Sequence, residues 1–118
     1  MLIQLAYAYF ILAIGYNVLS QVSVDLIGKK FAPTEPPHGF QVMSLVLVIF
    51  ALRDLIPVWV FLPLFSLWTL NILRFGIGNH VPGYKPDAYL NWFTWFSAIT
   101  INIFGTLVFS GYIITQLL

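Results

Sequence analysis

The stretch from His38 to Gly76 limits this chain more than any other. Between Phe40 and Arg74 its only charged residues are Arg53 and Asp54, side by side in the middle. As a single helix the stretch measures roughly 55–60 Å at 1.5 Å per residue. A bilayer's hydrocarbon core is about 30 Å thick. The stretch therefore has to break, and Arg53-Asp54-Leu55-Ile56-Pro57 is where the residues favour it. Proline drives the residue before it, Ile56, out of α geometry. A cation suits the end of one helix and an anion the start of the next, because the helix dipole runs that way. The pair Arg53, Asp54 predicts a helical hairpin, one arm ending near Arg53 and the other starting near Pro57.

Charge decides what surrounds the hairpin. Charged residues make up 8% of the chain and hydrophobic ones 60%, with a mean hydropathy of +0.92. A soluble domain carries about one-quarter charged residues, so there is too little charge here to cover a water-facing surface. The expected class is an all-α integral membrane protein, a small bundle of four transmembrane helices. The net charge of +1 and a basic cluster no larger than Lys29-Lys30 exclude a nucleic-acid surface. Without cysteine there are no disulfides, thiolate metal sites or cysteine nucleophiles.

The spans are expected at about 2–27, 38–53, 57–76 and 88–117, forming one transmembrane domain. The first apolar run has no basic leader and exceeds a signal-peptide core, so it reads as a retained span. The second is short for a crossing. Pro63 falls inside the third, where proline kinks a helix. The fourth opens on Tyr89, Trp92 and Trp95, an interfacial aromatic belt. Loops 28–39 and 76–87 are rich in glycine and proline and hold Lys29, Lys30 and Lys85, with Arg74 beside them. The positive-inside rule places them on the cytoplasmic, matrix or stromal side and both termini outside.

Few residues are candidates for chemistry. Asn17, Gln21 and Asp25 fall at i, i+4 and i+8, forming a polar stripe on one helix face. Lipid does not solvate amides, so the stripe is expected to face protein or water. Asn71 and Asn102 are the expected interhelical polar partners. His38 with Glu35, and His80 with Asp87, are loop residues of metal-ligating types, but their spacing matches no metal motif and no metal is assigned. No catalytic set is found. Serines have no histidine within their spans, and Gly76-Ile77-Gly78 lacks the third glycine and preceding strand of a dinucleotide loop.

The leading functional expectation is a small accessory subunit of a larger membrane complex of respiratory, photosynthetic or oxidase type, acting by helix packing. A small oligomeric transporter or channel, resting on the Asn17 stripe, is the alternative. A membrane-embedded enzyme or lipid-binding protein, resting on the loop histidines and acids, is the third reading. No cofactor is expected, and bound lipid is compatible with all three. The expected partners are membrane lipids and other membrane subunits.

Overall fold

A computed structural model describes all 118 residues. It is all-helical: α1 (Leu2–Ile27), α2 (Pro36–Ala51), α3 (Val58–Asn71) and α4 (Trp92–Leu117). α1, α4 and α3 with its continuation to Ile77 are each long and apolar enough to cross a membrane, while α2 is shorter.

Local chemistry sets the helix ends. α1 stops at Gly28, whose φ of 72° is the left-handed conformation that glycine adopts without a Cβ penalty. Its N–H closes the last turn on the Val24 carbonyl. α2 starts on Pro36 and Pro37, which lack the N–H groups that a first turn leaves unpaired anyway. Between α2 and α3 the chain reverses through a short 3-10 turn, Arg53–Leu55. Arg53 donates to the Phe50 carbonyl (3.1 Å) and the Tyr7 hydroxyl (3.3 Å), and its guanidinium lies over the Phe50 ring. Asp54 is 3.9 Å away.

Three boundaries differ from the sequence reading. The fourth helix starts at Trp92 rather than near 88, because Asn91 and Thr94 form a reciprocal capping box there. Ala88 and Tyr89 instead turn back onto the Lys85 carbonyl. The third helix widens at its end into a π-helical segment, Ile72–Ile77. The second begins at Pro36 and has 16 residues, about 24 Å at 1.5 Å per residue. Its shortness has a cause in the first loop, which descends along α1. The Phe31 N–H reaches Ser20 Oγ (2.9 Å), the Phe31 ring meets Tyr16 edge-on, and Ala32 is buried. α2 therefore starts well below the end of α1.

α2 packs on α1, α1 on α4, and α4 on α3 and its π-helical end. This ring is closed at one end only. There Phe50 of α2 meets Phe61 and Phe65 of α3, Phe10 of α1, and Phe109 and Tyr112 of α4, with centroids 5.6–6.3 Å apart. Phe61 and Phe65 stack at 4.4 Å. α1 and α4 approach closely where Gly105 lies against the Tyr9 ring, and a Cβ at that position would overlap it. Toward the other end, α2 and α3 separate.

Candidate functional site

Where α2 and α3 part, the bundle encloses a cavity of about 310 Å³, lined by all four helices and both long loops. Ligand pockets begin at about this size. Its distinctive lining is amide. Asn17 comes from α1, Asn71 from the end of α3, Asn102 from α4 and Asn79 from the following loop.

Asn17 and Asn102 are held by the same device. Each donates from Nδ2 to the carbonyl four residues back, Ala13 at 2.9 Å and Ala98 at 2.8 Å. Each also lies against a glycine of the neighbouring helix. A Cβ on Gly39 would strike the Asn17 amide, and one on Gly76 would strike the Asn102 amide. Only glycine leaves room for the side chain between these helices. The i−4 bond consumes one N–H of each amide, leaving the second N–H and Oδ1 without a protein partner. The π-helical widening after Asn71 brings Gly76 to Asn102. Single-turn departures of this kind are frequent at functional sites.

A further unspent donor lies in the same wall. Trp68 of α3 lines the cavity, and its indole N–H is buried with no hydrogen-bond partner. Leaving a buried donor unpaired costs about 1–3 kcal/mol, so this N–H calls for an acceptor.

The loops line the cavity's end and are pinned to the helices. Ser23 Oγ donates to the Lys29 carbonyl (2.6 Å) and Tyr16 Oη to the Thr94 carbonyl (2.8 Å). Trp95 Nε1 donates to the His80 carbonyl (3.0 Å), and His80 Nδ1 lies 2.6 Å from Tyr89 Oη. Burial pushes the His80 pKa down and the Tyr89 pKa up. Both therefore stay neutral near pH 7, with the tyrosine donating to an unprotonated Nδ1. No Asp, Glu, Lys or Arg lines the cavity.

The sequence candidates divide accordingly. Asn17, Asn71, Asn102, His38 and His80 come together around this space. The stripe itself splits: Gln21 donates to Asp25 (2.8 Å) on the exposed surface, away from Asn17. None of the three span asparagines bonds to another, so their partnership is a shared cavity rather than a direct bond. Glu35 is taken by Lys30 at 2.6 Å, His80 is engaged by Tyr89, and Asp87 is exposed in the second loop. These residues form no cluster of three metal-ligating side chains. Arg53 and Asp54 sit at the opposite end. Trp68, Gly39 and Gly76 were missed. A usable signal existed in Ala13-Ile14-x-x-Asn17 and Ala98-Ile99-x-x-Asn102, the same short pattern on two spans.

Compared with protein families, with curated proteins and with solved structures, the chain matches none.

Proposed function

We propose that this protein sits in a membrane and binds a small uncharged molecule in the amide-lined cavity. Membrane residence is supported by the outer faces, where large aliphatic side chains such as Ile11, Leu19, Leu45, Leu67 and Leu107 stand exposed on every helix. Contiguous apolar surface on this scale needs a non-aqueous neighbour. Loops 28–39 and 76–87, with Lys29, Lys30, Arg74 and Lys85, then lie on the cytoplasmic, matrix or stromal side and the termini on the other. The cavity falls in the half of the bundle nearer those loops.

The observation that carries the binding reading is the convergence of unspent hydrogen-bonding groups. The half-buried amides of Asn17 and Asn102 border one space, and Trp68, whose indole N–H is buried and unpaired, stands in its wall. Polar groups without partners in an apolar bundle are costly. A ligand carrying both donors and acceptors satisfies them at once. A charged ligand would find no Asp, Glu, Lys or Arg there. The accessory-subunit expectation rested on the lack of any convergent chemistry along the sequence, and this cavity supplies such chemistry. Binding of this kind is compatible with a place in a larger assembly.

Solvent extraction and mass spectrometry of the protein, purified in mild detergent, tests the reading. A neutral molecule should be recovered at about one per chain. It should be lost from Asn17→Leu and Asn102→Leu proteins that keep their helicity and elution volume. An empty wild type, or variants that retain the molecule, would overturn it.

A further inference from the structure

The cavity has a side door. α2 and α3 touch through Phe50, Phe61 and Phe65, then diverge toward His38 and Trp68. Between them runs a second space of about 430 Å³. Its walls are apolar, with Val46 and Ile49 on α2 and Leu64 and Leu67 on α3. It shares His38, Val42, Trp68 and Asn71 with the amide-lined cavity, so the two spaces adjoin along these residues. From Asn71 to Leu64 the groove follows α3 for about 10 Å at 1.5 Å per residue. It ends where Phe65 meets Phe50.

Polarity changes along this path. At the inner end are the amides of Asn17 and Asn102, and along the groove are aliphatic side chains. Neither space is lined by Asp, Glu, Lys or Arg, and His38 stands where the two adjoin. Resting on the binding reading above, we propose that the ligand is a neutral amphiphile. Its uncharged head, bearing a hydroxyl or carbonyl, occupies the amide-lined cavity, and its single linear chain lies in the α2/α3 groove and leads out into lipid. The head pairs with the free N–H and Oδ1 of the Asn17 and Asn102 amides. The chain covers the apolar walls that α2 and α3 leave apart. A phosphate head is disfavoured, because an anion in this cavity meets no Lys or Arg to offset its desolvation. A two-chain lipid is disfavoured because the groove is one channel between two helices. Entry is lateral, from the bilayer, through the gap between α2 and α3.

The test uses the full chain in phosphatidylcholine nanodiscs with a monoacylglycerol carrying a diazirine in its chain. On illumination, labelling should concentrate on Val42–Ile49 and Leu64–Trp68. Unlabelled monoacylglycerol should compete at a membrane fraction at least tenfold lower than lysophosphatidate of the same chain. Val46→Trp and Leu64→Trp fill the groove from opposite walls. Either one, if it elutes like wild type, should abolish the focused labelling. Labelling spread evenly over lipid-facing positions such as Leu19 and Leu107 would overturn the proposal, as would equal competition by the anion, or focused labelling that survives in a groove-filled variant. If a molecule is still extracted from wild type while labelling is diffuse, the cavity reading stands and the amphiphile falls. If nothing is extracted and labelling is diffuse, both fall.

Discussion

The two ends of this bundle are built from opposite materials. At the hairpin end, four helices converge on interlocked rings, with Tyr9, Phe10, Phe50, Phe65 and Phe109 fully buried. At the loop end the same helices surround an open space edged with asparagines. The ring end is closed and apolar, and each aromatic is held by several others. The amide end is held apart, its polar groups partly unspent. The contrast separates two jobs that one core seldom performs together. The rings hold the helices, and the amides are left free to meet something else.

Substitutions should therefore behave differently at the two ends. The largest effect is expected for Phe50→Ala. Phe50 touches rings on all three other helices, and removing a buried phenylalanine costs about 3–5 kcal/mol. Reversible unfolding of the detergent-solubilised protein measures the loss. A change under about 1 kcal/mol would mean that the ring end is not the anchor.

Two glycines sharpen the same comparison. Alanine at Gly105 drives a Cβ into the Tyr9 ring, which is fixed between Phe10 and Phe109, so α1 and α4 have to shift. Overpacking of this type costs about 1–3 kcal/mol. Alanine at Gly76 meets only the end of the Asn102 side chain, which can swing aside. Gly76→Ala should leave stability close to wild type and release the bound molecule. Equal unfolding curves for the two variants would erase the distinction between the ends.

Asn17→Leu should change stability by less than about 1 kcal/mol, since the amide bonds only within its own helix and even interhelical hydrogen bonds in membranes average about 0.6 kcal/mol. A leucine relieves a polar burial rather than removing a load-carrying contact. Strong destabilisation by Asn17→Leu would instead show that the amide holds the helices together.

The smallest effect concerns pH and the cover of the cavity. The folded pKa of His80 lies below its ordinary 6.5, so the unfolded chain takes up that proton first as pH falls. Stability from this site is then fully present above about pH 6.5 and declines below it, levelling off beneath the folded pKa. Melting temperatures between pH 8 and pH 5 should fall less for His80→Gln than for wild type. Parallel curves would show that the His80–Tyr89 contact carries no such linkage.

Much of the scaffold was legible along the chain. Long apolar runs interrupted by Gly28, the Pro36-Pro37 pair and Arg53–Pro57 specify helices and their breaks through local backbone preference alone. The start of α4 was misplaced because an aromatic belt at Tyr89 was read as helix, while Asn91 and Thr94 carried the capping signal. The site was legible only in part. Spacing of i, i+4, i+8 says that Asn17, Gln21 and Asp25 share a face, but not what that face meets at each level.

The sequence by itself determined an all-helical chain with helices apolar enough to cross a membrane and a small stock of polar residues inside them. Only the tertiary structure decided which of those polar residues meet. Asn17 and Asn102 are far apart in sequence and lie on opposite arms of the chain. They share a cavity because Gly39 and Gly76 admit them between helices and because the first loop descends to start α2 low in the bundle. Helix formation depends on neighbours a few residues apart. A cavity depends on where the packing of distant side chains stops, and here it stops just past Phe50 and Phe65, with Trp68 in the cavity wall.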